Sequence, residues 1–516
     1  MVRRPFLSIA VLAVAGACLS LAAASDEVRT ESGLVSGTAA DGVRSFKGIP
    51  YAAPPIGNLR WKPPQPVSAW SGVKAADAFG PQCPQLPYPA DSPYYSPPRL
   101  EGEDCLSLNV WTAGASGDKR PVMVWMHGGG LTRGTGATPT YDGTALAKKG
   151  VVVVTINYRI GPLGYLSHPE LTAESPQHAS GNYGAMDQIA ALKWVQKNIA
   201  AFGGDNGRVT IFGESAGSTS VNVLTASPLA AGLFQRAVGE SGARFSRIAT
   251  LAEAEKLGVT FAKAAGADSI AALRAVPAEK LVATSGFQAQ NPVDGWVLRE
   301  EVRAIYANKK HSSVPLIVGS NANEMTTLAN PATVPKTLEE YRTRVTAQYG
   351  DLVKEFDALY PVSGEADVRD AWLGSVRDAG MTLQMRTWAR MATAGGARAY
   401  LYWFSHVAPH PDAARLGAYH ASEIPYVFAN LTRKWNYTAV DRQLADTMSS
   451  YWANFAATGD PNGKGLPKWT PYDQDAEPYL DLGDAPQGRN HLQKARLDFM
   501  ERFQNRPQRS SANNGR

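Results

Sequence analysis

The stretch Thr210-Ile211-Phe212-Gly213-Glu214-Ser215-Ala216-Gly217 constrains the fold more than any other part of the chain. It reads as a short buried strand, a tight turn with a serine at its tip, and the start of a helix. Gly-x-Ser-x-Gly in that setting is the nucleophile-elbow pattern. Glycine is needed at 213 and 217 because in so sharp a turn a Cβ at either position would strike neighbouring backbone. Ser218, Thr219 and Ser220 occupy the first turns of the predicted helix. Its unpaired N–H groups and positive dipole end favour a developing oxyanion. The pentapeptide alone is a weak signal, since Gly and Ser are common, so its meaning rests on what surrounds it.

Upstream, Val151-Val152-Val153-Val154-Thr155-Ile156-Asn157 is too β-branched for a helix and reads as a fully buried strand. From Gly181 to Ala201 the apolar residues Ala185, Ile189, Leu192, Trp194, Val195 and Ile199 recur at helical spacing, and Gly203-Gly204-Asp205 ends the run. The elbow strand follows. Strand, helix, strand implies an α/β fold with a parallel sheet covered by helices. Leu106–Trp111, Val122–Met126, Val314–Gly319 and Ala399–Phe404 are further strands. Residues 26–36 alternate as an edge hairpin. Phe46 to Pro55 carries prolines that argue for a rigid surface path. Residues 250–310 and 335–395 read as largely helical, and Met448–Phe455 as a late helix. With no internal repeat and no long linker, residues 25–506 read as a single domain.

The 516 residues are 44% hydrophobic and 19% charged, enough to bury a large core. The formal charge of +5 includes Arg3 and Arg4 and carries no nucleic-acid or membrane-surface signal. Those arginines precede an apolar run that closes on Ala22-Ala23-Ala24, so residues 1–24 read as a cleaved signal peptide, with Arg3-Arg4-Pro5-Phe6-Leu7 partly resembling a twin-arginine leader. An uncleaved anchor, or lipidation at Cys18, are the other readings. No later run is long enough to span a bilayer, so no stable membrane association is expected after cleavage. The expected location is periplasmic or secreted, and residues 507–516 read as a disordered tail. Cleavage leaves two cysteines, Cys83 and Cys105, which in an exported protein read as a disulfide rather than two buried thiols.

A serine hydroxyl is a poor nucleophile unless a base stands at hydrogen-bond distance and an anion orients that base. The order that accompanies a nucleophile elbow is Ser, then Asp or Glu, then His. The downstream histidines are His311, His406, His410, His420 and His491. His420 is the best placed, on a loop after a core strand, and Glu324 is the best-placed acid, leaving the end of one. His127-Gly128-Gly129-Gly130 follows the Val122–Met126 strand, and its glycines free backbone N–H groups to face a ligand or make an ordinary turn. Gly239-Glu240-Ser241-Gly242-Ala243 repeats Gly-Glu-Ser but breaks the elbow spacing, which makes Ser241 a buried hydrogen-bonding serine. Tyr88, Tyr94 and Tyr95, between the cysteines, either line a pocket mouth or cover the core.

In combination these residues resemble the type B carboxylesterases, the cholinesterase-like branch of the α/β-hydrolases. The resemblance runs from about Val28 to Phe503. It is carried by Phe46–Ala52, Glu103–Trp111, His127–Gly130, Gly181–Gly184 with Asp187 and Gln188, Phe212–Gly217, Glu324, His420–Glu423 and Phe455–Asn462. It implies the α/β-hydrolase fold, a largely parallel sheet with helices on both faces and helical insertions around an active-site gorge. It implies Ser215 as nucleophile, His420 as general base and acid, Glu324 as orienting acid, and the N–H groups of Gly129, Gly130 and Ala216 as an oxyanion hole. Glu214, Ser241 and Glu423 match buried positions that support the site, and Cys83 and Cys105 match the family's first disulfide. Leu131 stands where phenylalanine is usual and Met325 where glycine is usual, departures that bear on pocket shape.

The implied reaction is hydrolysis of a small-molecule carboxylic ester through an acyl-enzyme, with no metal or cofactor. The same triad serves amides, carbamates or lactones, and relatives that lost the serine or histidine are adhesion or carrier modules. Arg133, three residues past Gly130, is expected near the pocket wall with Leu131. There its guanidinium either pairs with a carboxylate on the substrate or turns to solvent or a local acid.

Overall fold

Side-chain alternation builds the central sheet. In the computed structural model, which describes residues 27–431 and 435–506, fourteen strands occur. The leader read at 1–24 and the tail read at 507–516 lie outside the described residues. The strands are β1 (Glu27–Thr30), β2 (Gly33–Ser36), β3 (Thr38–Ala40), β4 (Val43–Pro50), β5 (Val73–Ala75), β6 (Ser107–Thr112), β7 (Arg120–Met126), β8 (Val152–Ile156), β9 (Gly204–Glu214), β10 (Arg236–Glu240), β11 (Leu316–Asn321), β12 (Ala399–Phe404), β13 (Pro478–Leu482) and β14 (Gln487–Asn490). The large sheet runs β14-β13-β12-β11-β10-β9-β7-β8-β6-β4-β3. Its middle, from β13 through β8, is parallel, and antiparallel strands close both edges. The expected edge hairpin is β1–β2, in a small separate sheet with β5.

Both faces of the parallel strands are buried, as their continuous apolar runs require. On β7, Val122, Val124 and Met126 point to one core, and Met123 and Trp125 to the other. On β12, Leu401 and Trp403 take the first side and Tyr400, Tyr402 and Phe404 the second. The helices Tyr183–Asn198 and Ala216–Ala226 cover the first face with Ile189, Leu192, Val221 and Leu224. The helix Ala439–Thr458 covers the second with Leu444, Met448, Trp452 and Phe455. This is the α/β-hydrolase fold the resemblance implies.

Three local readings change. Phe46–Pro50 is not a surface path but part of β4, with Phe46 and Ile49 fully buried. The proline is tolerated because Pro50 is the last residue of the strand, and Gly48 (φ 69°) absorbs a register shift against β6. Residues 250–310 are helical only in part: Leu251–Ala264, Ile270–Ala275, Ala278–Ala283 and Val302–Ala307. The late helix is longer than Met448–Phe455, because Thr438 and Asp441 form a capping box at its start and Gly459 (φ 80°) ends it.

Cys83 and Cys105 form a disulfide with their Cα atoms 5.1 Å apart. It pins the tyrosine-bearing loop to the start of β6. Replacing both cysteines by serine is expected to lower stability by about 3 kcal/mol in the chain-entropy account, read by urea unfolding. Alkylation without reductant, followed by mass spectrometry, should find no free thiol at either position.

Candidate active site

Ser215 sits where β9 ends and the helix Ala216–Ala226 begins, with φ 57° and ψ −121°. A non-glycine residue adopts that backbone only when its surroundings force it. Here they do: Ser215 N–H donates to the Glu240 carbonyl (2.8 Å), and the Ser215 carbonyl accepts from Thr219 N–H (2.9 Å). The expected glycine clashes are present. A Cβ on Gly213 would lie 2.6 Å from the Gly217 carbonyl carbon, and one on Gly217 would strike the Met126 carbonyl.

The glycine run lies against the elbow, since a Cβ on Gly128 would come within 3.2 Å of Ser215 Cβ. Gly129 (φ 105°) and Gly130 (φ 63°) continue in the left-handed region. Among the described residues no acceptor takes the N–H of Gly129, Gly130 or Ala216. The loop is held from behind by the Tyr158 hydroxyl, which donates to the His127 carbonyl (2.6 Å) while its ring stacks on His127.

His420 Nδ1 meets Glu324 Oε2 at 2.5 Å. A carboxylate can only accept, so Nδ1 carries the proton and Nε2 is the nitrogen left to take another. The other oxygen, Glu324 Oε1, accepts from Ser241 Oγ (2.6 Å) and from Asn321 N–H (2.7 Å). Ser241 is thus the hydrogen-bonding serine expected of it. Glu423 accepts from Asn321 Nδ2 at 2.5 Å. Glu214 Oε1 lies 3.0 Å from His420 Nε2. No hydrogen bond joins Ser215 Oγ to the imidazole among the described residues.

Ser215, His420, Glu214, Gly129 and Gly130 share one cleft of about 660 Å³, walled by Tyr88, Tyr94, Arg133 and Arg415 among others. Tyr88 and Tyr94 therefore line the mouth, whereas Tyr95 does not and is 41% exposed. Of the downstream histidines only His420 borders the cleft. His406 is held between Asp441 and Asp484, and His311 stacks on Tyr306. Leu131 is a correction: it packs into the core with 4% exposure and is not part of the cleft wall. Its φ is 60°, its side chain belongs to the core that also holds Ile160, and its carbonyl accepts from the Gly161 N–H (2.6 Å).

Sequence reasoning missed the two asparagines that tie the acid's loop to the histidine's. Asn321 Nδ2 donates to the Tyr419 carbonyl (2.8 Å), and Asn323 exchanges hydrogen bonds with Ala418 in both directions. Their signal was their position just before Glu324. Tyr94 adds a third tie, donating to the His420 carbonyl at 3.1 Å.

Four glutamates, Glu214, Glu240, Glu324 and Glu423, are buried around this histidine. Burial pushes Glu214 and Glu240 well above the usual carboxylate range, and burial with the neighbouring Glu324 charge pushes Glu423 up to about 7. Burial pulls His420 down, but the charges of Glu214 and Glu324 outweigh it and raise the imidazole to about 9. A Glu214 that holds its proton does not supply the charge that raises His420. Glu214 and His420, 3.0 Å apart, titrate as a pair. The direction is upward for the pair.

This architecture and this cleft define an α/β-hydrolase with a half-buried elbow serine that lines the cleft. The chain belongs to the carboxylesterase family, whose sequence profile matches residues 24–500. It is 40% identical over 476 residues to a fumonisin B1 esterase of Sphingopyxis macrogoltabida, covering 87% of this chain and 85% of that one. It is 36% identical over 479 residues to the para-nitrobenzyl esterase of Bacillus subtilis (strain 168), covering 88% and 94%. A carboxylesterase structure from Geobacillus stearothermophilus superposes with a TM-score of 0.80 at 33% identity, covering 92% of this chain and 99% of that one. The protein is a carboxylic ester hydrolase, which sets aside the adhesion or carrier reading.

If His420 accepts the proton, activity needs its neutral form. Because its pKa is raised above the ordinary ~6.5, kcat/KM should climb with pH through neutrality and reach its plateau on the alkaline side. Removing a charge that raises the imidazole lets it fall, so Glu214→Gln should move this acid limb to lower pH. A pH–rate profile checks both; an unshifted limb in the variant would separate Glu214 from the titration.

Proposed function

We propose that Ser215, His420 and Glu324 hydrolyse carboxylic esters through an acyl-enzyme. The observation that carries this reading is the elbow serine, held in a strained backbone, in one cleft with a histidine whose far nitrogen is bonded to a buried carboxylate. The ester carbonyl carbon sits beside Ser215 Oγ. As Oγ attacks, its proton passes to His420 Nε2, and the imidazolium is stabilised by Glu324 on the other side of the ring. The ring must turn Nε2 from Glu214 toward Oγ, a tightening expected when substrate fills a free site.

The carbonyl oxygen becomes the oxyanion and accepts hydrogen bonds from the N–H groups of Gly129, Gly130 and Ala216. Losing one such donor typically costs roughly 3 kcal/mol of barrier. The C–O bond to the alcohol then breaks, and the alcohol leaves with the proton from His420. Water attacks the acyl-serine, giving its proton to the same nitrogen, and the carboxylic acid departs as Ser215 regains its hydrogen. Ser241, Asn321 and Glu423 act by holding Glu324 and its loop. Residues 25–506 form the catalytic unit, exported as a periplasmic or secreted enzyme once the leader is removed.

Ser215→Ala should lower kcat for a simple aryl ester by about 10⁴ or more with the fold intact by circular dichroism. Ser241→Ala removes one hydrogen bond to Glu324 and should retain measurable turnover. Retention of most hydrolysis by Ser215→Ala, or failure of a fluorophosphonate probe to label the wild type, would overturn the assignment.

A further inference from the structure

Besides its tyrosines, the acidic and basic side chains that line the cleft are Glu214, His420, Arg133 and Arg415. Glu214 Oε1 and His420 Nε2 face each other at 3.0 Å. Arg415 is exposed, and its guanidinium is met by Asp412 at 2.9 Å. Arg133 is different. Its Nε donates to the Leu86 carbonyl (2.9 Å) and its guanidinium lies over the Tyr88 ring, 5.2 Å from the centroid. Neither terminal nitrogen has a hydrogen bond or ion pair among the described residues. The cleft therefore holds one cation with no counter-charge, pinned through its inner nitrogen and a ring face, with its outer edge free. That fork is the half of a guanidinium that takes a carboxylate side-on.

Its backbone also ties it to the chemistry. Arg133 N–H donates to the Gly129 carbonyl (3.0 Å), and a Cβ on Gly129 would lie 3.3 Å from Arg133 Cα. Rings connect it to the other side of the site: Tyr88 packs on Tyr94 (centroids 5.6 Å), and Tyr94 stands edge-on to His420 (6.5 Å). A chain lying along this wall has its ester group at Ser215, its methylenes against the two tyrosines, and its far end at Arg133. Pinning the guanidinium in advance removes much of the entropy that a free arginine loses when it binds.

We propose that Arg133 makes this enzyme selective for esters that keep a free carboxylate a few carbons from the scissile bond, as in half-esters of dicarboxylic acids. The inference rests on the reaction proposed at Ser215 and adds the substrate class.

The test compares monoethyl adipate with ethyl hexanoate, which present acyl chains of the same length with and without the charge, by titrating released acid. The quantity read is the ratio of kcat/KM for the anionic ester to that for the neutral one, so any general loss of catalysis cancels. Arg133→Gln should lower the ratio tenfold or more, carried mainly by KM for the anionic ester. Arg133→Lys should retain part of it, and Arg415→Gln should leave it nearly unchanged because Asp412 already meets that charge. Added salt should lower the wild-type ratio, since it screens an exposed pair. A ratio that Arg133→Gln leaves unchanged overturns the proposal, as does one that Arg415→Gln lowers equally, which would assign the effect to the rim's charge as a whole. Wild-type enzyme that cleaves the neutral ester independently of Ser215 would instead overturn the proposed reaction, and the Ser215→Ala control reads that separately.

Discussion

Between the Met126 carbonyl and Gly217 there is no room for a side chain. That close approach follows from β7 and β9 running parallel side by side, with Met126 opposite Gly213. The backbone leaving β9 has to turn at once to start its helix, and Ser215 takes the strain of the turn. The same approach brings Gly128 against Ser215 and so sets the glycine loop beside the serine. Sheet register, not local propensity, places the serine, the loop and the helix N-terminus within reach of one another. The cost of one strained residue is small beside the apolar burial on both sheet faces that enforces it.

Around the histidine the governing constraint is electrostatic. Four buried carboxyl groups in one region cannot all be ionised, because burial and mutual repulsion both disfavour charge. The structure surrounds three of them with hydrogen-bond donors. Glu240 takes the Trp452 indole N–H (2.7 Å), Glu423 takes Asn321, and Glu324 takes Ser241, Asn321 and the imidazole. Glu324 accepts from the most donors of the four. This division of labour among identical side chains comes from their partners.

Where sequence reasoning went astray, tertiary context overrode a local rule. Prolines argued against a strand at Phe46–Pro50, yet Pro50 ends β4 where its missing donor is not needed and a bulge at Gly48 absorbs the mismatch. Leu131, expected to shape the pocket, is buried in the core, on a left-handed backbone. The asparagines at 321 and 323 have no spacing that marks them. Their role exists only because β11 ends beside the loop that follows β12.

What the sequence by itself determined was local and chemical. The elbow's glycines, the β-branched strands, the glycine triplet and the cysteine pair each impose a conformation or a reactivity on the residues that carry them. These were enough for the α/β architecture and for singling out Ser215, Glu324 and His420 in that order. Only the tertiary structure decided which nitrogen of His420 meets Glu324, that the other faces Glu214, and that Arg133 lies on the cleft wall without a counter-charge. The histidine's contacts depend on loops more than 80 residues apart in sequence, Ser241 to Glu324 and Glu324 to His420. Parallel strands bring such loops to one edge of the sheet, and no short-range pattern records which loops will meet there.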